Sequence, residues 1–220
     1  MIGPMRVAFI GGTGPAGIGL GARLARAGHE VLLGSRSVVR AKEAAARVLE
    51  LVPDGAVSAG TNEEILDGAE VVMLTMRDDA QRETLRRMGA LLAGKVVVSM
   101  ANPLRVGNRT ATVVLQPEGS LAEEAQRDAP DAHVVSAFHE VRVDRFADLD
   151  EPIDSDTLVC GDDGQAKKVI MQLARDVGVR PVDAGALVNS RYVESFVAVL
   201  ISINFRYKAT SSLRITGLPD

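Results

Sequence analysis

Residues 11–17 read GGTGPAG, directly after the apolar run VAFI and directly before the helix-like IGLGARLARAG. Gly12, Gly14 and Gly17 thus stand in G-x-G-x-x-G spacing where a strand passes into a helix, the setting that gives this pattern meaning. Each glycine has a mechanical task. Gly12 permits the tight turn, Gly14 lets a pyrophosphate approach the backbone, and Gly17 lets the helix pack closely on the strand. Thr13 offers a hydroxyl at the mouth of the loop. Pro15 suits a first helical turn, where its missing donor costs little, and Ala16 opens the helix whose unpaired N–H groups face the phosphates. A tight strand-to-helix turn with no ligand is the competing reading, and the rest of the chain has to decide between them.

The turn heads a regular alternation. Apolar runs of strand length lie at Met5–Ile10, Val31–Leu33, Val57–Ala59, Glu70–Leu74, Val96–Val98 and Val134–Ala137. Helical patterns at Ala16–Ala27, Val39–Leu51, Asp78–Leu92 and Ser120–Arg127 separate them, with a short helix at Glu63–Leu66. Ser120 with Glu123 three residues later has the spacing of a capping box. Strands apolar on both faces alternating with helices predict a Rossmann-like, doubly wound α/β domain with a parallel sheet. Residues 1–150 read as this domain. Residues 151–220 read as a small C-terminal α/β appendage, reached through the acidic stretch His139–Asp156, a linker or ordered loop. There Thr157–Cys160 and Val179–Val182 read as strands around a helix at Gln165–Val177. The tail Ala186–Leu213 contains SFVAVLISINF, apolar almost all round a helix. Such a helix is buried, so it is expected to insert into a second subunit or under the appendage, and a homodimer is predicted.

Composition removes whole classes of function. Aromatics are 3% with no Trp, and the net charge is −4, which leaves neither a stacking platform nor a broad basic surface for nucleic acid. Cys160 is the single cysteine, so neither an intrachain disulfide nor a thiolate metal cluster can form. No metal-spaced His or carboxylate cluster is present either. No apolar run reaches the ~20 residues of a membrane span, and MIGPMRVAFI lacks the pattern of a signal peptide. A cytoplasmic location is expected.

The second constraint lies at Gly34-Ser35-Arg36. An NAD site places a carboxylate at the end of the second strand to hold the ribose 2′-hydroxyl. Here a hydroxyl and a guanidinium follow the strand instead, with Arg40 about one helical turn beyond Arg36. A dianionic 2′-phosphate would meet donors at Ser35 and Arg36, so NADP is favoured over NAD. Arg40 is either a third donor or a solvated charge on a helix face.

Ligands of such sheets bind outside the carboxyl ends of the strands. The candidates there are Thr75 and Met76 after the fourth strand, Ala101, Asn102 and Pro103 after the fifth, and His139 after the sixth. No nucleophile elbow and no Tyr-x-x-x-Lys pair is found. His29, in the turn Gly28-His29-Glu30, reads as a surface residue, and His133 carries no signal. His139 reads either as a ligand-facing residue or as a structural histidine. Such a site is suited to holding two planar carriers rather than to moving protons.

The run MRVAFIGGTGPAGIGLGARLARAGHEVLLGSR, the segments VVSAFHEV and LVCGDD, and VDAGALVNSRYVES before a long apolar helix resemble the NADPH-dependent reductases of the deazaflavin coenzyme F420. The similarity runs nearly the whole chain in order. It implies hydride transfer between nicotinamide C4 and deazaflavin C5, with the rings stacked in a cleft covered by the small domain. By the same resemblance Thr13, Ser35, Arg36 and Arg40 match NADP-phosphate positions, and His139 and Val141 match positions lining the deazaflavin cleft. Met76-Arg77-Asp78 stands where the family has a Pro. Asn189, Ser190, Arg191 and Glu194 either brace the deazaflavin or tie the last helix into the domain, and Cys160 reads as a buried strand residue. The rival functions are an NADPH-dependent reductase of an imine, an oxo acid or a flavin, which would want a proton donor in the cleft, and a non-catalytic NADP-sensing module.

Overall fold

A computed structural model describes residues 3–117 and 119–218. In chain order the amino-terminal half comprises β1 (Arg6–Ile10), α1 (Pro15–Arg26), β2 (Glu30–Ser35), α2 (Val38–Leu51), β3 (Val57–Thr61), β4 (Val71–Leu74), α3 (Asp78–Met88) and β5 (Val96–Ser99). There follow β6 (Leu104–Gly107), β7 (Thr110–Val113), α4 (Leu121–Asp128), β8 (His133–Ser136), α5 (Val143–Ala147), β9 (Asp156–Gly161), α6 (Gly164–Asp176), β10 (Arg180–Asp183) and α7 (Ser190–Tyr207).

Eight strands form one sheet in the order β10-β9-β8-β5-β4-β1-β2-β3. From β8 to β3 all pairs are parallel. Both faces are covered, as the unbroken apolar runs demand. Along β1, Val7 and Phe9 face one core with Leu20 and Leu24 of α1 and Val48 of α2. Ala8 and Ile10 face the other, with Leu85 and Met88 of α3 and Ala122 and Ala125 of α4. This two-residue alternation gives the sheet its two greasy faces. Strand order reverses between β1 and β4, so the crevice where such sheets bind ligands opens above those two strands.

The expected Rossmann-like fold is therefore present, with one departure. β9 pairs antiparallel to β8, only at Val135–Gly161 and Ser136–Cys160, and β10 then adds parallel to β9. The last two strands thus extend the main sheet in the reverse direction, and Val159, Ile170 and Leu173 share the core of α1 and α2. Cys160 is a buried strand residue, as expected.

The stretch 139–156 is ordered by a distant side chain. Within it α5 packs against α1, so closely that a Cβ at Gly19 would lie 2.8 Å from Cβ of Phe146. Arg23 of α1, 4% exposed, donates to the carbonyls of Phe146 (3.1 Å), Arg145 (3.0 Å), Glu151 (3.0 Å) and Asp148, and to Val177 of the α6 end (3.3 Å). The guanidinium's fan of donors makes such a hub possible, and the five carbonyls offset the cost of burying the charge.

His29 contradicts the surface reading. It is buried, its Nδ1 accepts from Met5 N (3.2 Å), and its Nε2 therefore donates to Asp176 Oδ2 (3.2 Å), clasping the α1–β2 turn to α6.

Candidate active site

The glycine turn has the predicted mechanics. A Cβ on Gly12 would sit 2.7 Å from Phe9 Cβ, and one on Gly17 would sit 2.3 Å from Gly12 O, so neither position has room for a side chain. Gly12 N–H is consumed internally by Phe9 O (3.2 Å) and Gly34 O (2.9 Å). At Gly14 a Cβ would meet nothing within 4 Å, so this face of the loop stands open. Among the described residues the N–H groups of Thr13, Gly14, Ala16 and Gly17 have no acceptor. Pro15 occupies the first helical turn. Close packing behind and free donors in front fit a pyrophosphate.

Beside the turn lies a cavity of about 180 Å³ lined by Thr13, Ser35, Arg36 and Arg40 together. Arg36 and Arg40 are exposed, and neither guanidinium has a carboxylate partner among the described residues. Ser35 Oγ accepts from Ser37 N (3.2 Å), which leaves its proton free to donate. Sequence reasoning missed the opposite wall. Asn62, just after β3, lines the cavity and accepts Gly11 N–H (3.2 Å), which holds the turn at its Gly11 φ of +70°. Glu83, Thr84 and Arg87 of α3 complete the wall, with Arg87 paired to Glu63 at 3.2 Å. The helical spacing of these three was legible, but nothing local says which cavity a helix borders.

Through Met76 this cavity adjoins a larger cleft of about 650 Å³. Ala16, Thr75, Met76, Ala101, Asn102, His139 and Val141 all line it, as do Arg105 of the β6–β7 hairpin and Ile201 of α7. Thr75 Oγ donates to Ile10 O (3.1 Å) and ties the end of β4 to the end of β1. Pro103 is absent from the lining. It is buried behind the wall, where its carbonyl accepts Val114 N–H (2.7 Å) and closes the hairpin's base.

His139 is aimed by strain. Phe138, just after β8, has φ of +65°, a conformation disfavoured for any bulky residue. It is held there by Thr157 Oγ1 accepting its N–H (2.6 Å) and by edge-on packing on Phe146, ring centroids 6.1 Å apart. His139 then meets Ser136 Oγ through Nε2 (2.9 Å) and Asn102 Oδ1 through Nδ1 (3.1 Å). The amide oxygen only accepts, so the proton sits on Nδ1 and Nε2 accepts from the serine hydroxyl. Burial pushes the imidazole pKa down to about 4, so the ring is neutral in the ordinary working range. Glu140 is desolvated and pushed up to about 7, but it lies behind the lining, not in it.

The carboxyl-terminal candidates tie the last helix down. Glu194, 1% exposed, accepts the N–H groups of Leu121 (2.9 Å) and Ala122 (3.0 Å) at the start of α4. Ser120 caps the same helix by accepting Glu123 N (3.1 Å), and Arg191 pairs with Glu123 at 2.9 Å. Asn189 Nδ2 donates to Ala184 O (2.7 Å), and Ser190 is buried. None of these four lines the main cleft. Among the described residues no metal-binding cluster is found, and no helix is long and apolar enough to cross a membrane.

A family profile described as NADP oxidoreductase, coenzyme F420-dependent, matches residues 6–103. An F420-dependent NADP reductase of Methanocaldococcus jannaschii is 37% identical, covering 97% of this chain and 99% of its own. That of Methanothermobacter marburgensis is 36% identical over 98% of this chain and its own full length. Among solved structures, a candidate F420-dependent NADP reductase from Arthrobacter sp. FB24 superposes with a TM-score of 0.78 at 27% identity, covering 94% of this chain and 96% of that one.

Proposed function

The chain belongs to the coenzyme F420-dependent NADP oxidoreductases, and on that premise we propose that it transfers a hydride between NADP(H) and the deazaflavin coenzyme F420. The observation that carries this reading is the junction of two cavities at Met76: one is lined by hydroxyls and by the guanidiniums of Arg36 and Arg40, which have no carboxylate partner among the described residues, the other by apolar groups, a neutral histidine and the charged side chains of Arg77, Asp78, Asp79 and Arg105. In the first, Thr13, Ser35, Arg36 and Arg40 donate to the 2′-phosphate, while the N–H groups around Gly14 face the pyrophosphate. Bound NADPH supplies the hydride. The walls at Ala16, Met76, Ala101, Asn102 and Val141 hold the two rings against each other and exclude water, and proximity provides most of the acceleration.

His139 positions rather than titrates. With Nδ1–H fixed on Asn102 and Nε2 on Ser136, it presents one tautomer and keeps the loops after β5 and β8 at one spacing. This disfavours reduction of an imine or oxo acid, which would want a proton donor in the cleft: Glu140, whose carboxyl burial pushes up to about 7, lies outside the lining. A sensing module has no use for a second cavity opposite the first.

Residues 1–150 serve as the dinucleotide unit and residues 151–220 as the part that covers the cleft, contributing Ile201. The protein acts in the cytoplasm as a homodimer. Its second copy would cover Tyr192, Phe196, Val199, Ile203 and Tyr207, which recur every three or four residues along one exposed face of α7. Light scattering at micromolar concentration should give twice the chain mass, and a monomer would refute the dimer.

The function is tested by mixing catalytic amounts of the protein with NADPH and oxidised F420 and following the deazaflavin's visible absorbance. Bleaching with matching loss of NADPH is expected. No bleaching at high enzyme, with NADPH consumed on addition of an imine instead, would overturn the assignment.

A further inference from the structure

A third recess, about 290 Å³, adjoins the main cleft across a wall made of Asp78 and Arg105 and shares no lining residue with the cavity beside the glycine turn. It lies between α3, α4 and the strand end of the hairpin, and four arginines line it: Arg82, Arg86, Arg105 and Arg127. Among the described residues two carboxylates do, Asp78 and Glu124, so the described lining carries four positive charges against two negative, in a chain whose net charge is −4. Asp128 stands beside Arg127 at 3.1 Å, at the back.

The internal pairs set these guanidiniums in place. Arg105 Nη1 donates to Asp78 Oδ2 (2.9 Å), and Arg82 Nη2 donates to Glu124 Oε2 (2.9 Å) and Gln116 Oε1 (2.7 Å). Arg86 is exposed and has no carboxylate partner among the described residues. A concave arginine cluster with surplus charge, on an otherwise acidic protein, is a site for an anion with several oxygens. The dinucleotide's own phosphates are accounted for at the glycine turn and in the separate cavity beside it, so the anion belongs to the other substrate.

We infer that this recess holds the anionic side chain of the deazaflavin, a phosphodiester followed by glutamate carboxylates, and so selects the complete coenzyme over its tail-less head group. The inference rests on the proposed function. Arg105 stands at the point where the tail leaves the cleft. Arg86 supplies the uncommitted charge, and Arg82 and Arg127 form the floor.

The test compares two acceptors with the same ring, F420 and the deazariboflavin alcohol that lacks the phosphodiester and glutamates, in the wild type and in Arg86→Glu. Arg86 is exposed and has no carboxylate partner among the described residues, so the variant should fold; thermal melting checks this, and Arg86→Lys should behave as wild type. The wild type should show a higher kcat/KM for F420 than for the alcohol. In Arg86→Glu that preference should fall about tenfold, or about 1.4 kcal/mol, through KM for F420, and added salt should shrink the difference. An unchanged preference would overturn the inference and leave the function standing, because both acceptors would still be reduced. A wild type that reduces neither would overturn both.

Discussion

Arg36 offers the sharpest separation between recognising a phosphate and merely decorating a surface. The guanidinium is exposed and has no carboxylate partner among the described residues, so replacing it strands no buried charge, and any loss belongs to the ligand. A charge-assisted hydrogen bond contributes about 1.5–3 kcal/mol. Because Arg36 is exposed the lower end applies, and Arg36→Ala should raise KM for NADPH by about tenfold. Arg36→Glu adds repulsion between a carboxylate and the 2′-phosphate, roughly 2 kcal/mol more at a separation of ~5 Å in a largely aqueous setting. Together that is about 3–4 kcal/mol, a factor of several hundred in KM. NADH lacks the phosphate, so its KM should move by less than about threefold in either variant, and melting temperatures should stay at the wild-type value. The assay is steady-state reduction of F420 at saturating acceptor with each nucleotide. Equal changes in KM for NADPH and NADH would show that Arg36 touches something other than the 2′-phosphate.

Other outcomes follow from the buried polar groups. His139, held down at about 4, binds fewer protons folded than unfolded between about pH 4 and its ordinary value of 6.5, so stability rises with pH across that window and is lost as pH falls through it. The hydride-transfer rate should therefore show no His139 titration between pH 6 and 8, and a kinetic pKa in that range abolished in His139→Gln would contradict the neutral, positioning role. Glu194 is pushed up to about 7 by burial, so it binds more protons folded than unfolded between 4.5 and about 7, and its contribution to stability declines as pH rises through that window. Glu194→Gln sets an amide NH₂ against one of the α4 N–H groups and should cost about 2 kcal/mol, a fall of about 4–8 °C in Tm; an unchanged Tm would remove the capping role. Arg23→Met leaves five carbonyls without their donor and should lower stability by at least about 3 kcal/mol in urea titration. A smaller loss would mean that water replaces the guanidinium.

The parts of this molecule legible in its sequence are those fixed by local chemistry. The glycine turn, the unbroken apolar strands and the hydroxyl–guanidinium pair after β2 each follow from residues within a few positions of one another, and together they place the dinucleotide end of the site. The capping box at Ser120 and Glu123 is equally local. What escaped is what depends on distant partners. His29 sits in a turn that reads as solvent-facing, yet its partner Asp176 is 147 residues away. The stretch after β8 reads as a loop because the arginine that orders it belongs to α1. The β6–β7 hairpin did carry a signal, since Gly107-Asn108-Arg109-Thr110 joins two alternating runs and Asn108 and Arg109 both take positive φ, at 48° and 59°. Its strands are four residues long and mostly exposed, too short for periodicity to stand out. A third of α7, including Tyr192, Phe196, Val199, Ile203 and Tyr207, is exposed in the single chain, so its all-round apolar pattern describes an unfinished surface more than a buried helix.

The central claim, that the cleft passes a hydride directly from one planar carrier to another without an acid or base of the protein, is tested by isotope. NADPH carrying deuterium at C4, in each of its two stereochemical forms, is turned over with F420 in ordinary water, and the reduced deazaflavin is read by mass spectrometry. The account predicts that one of the two forms delivers its deuterium to the product in full. Recovery of that label in the solvent, or an unlabelled product from both forms, would contradict it.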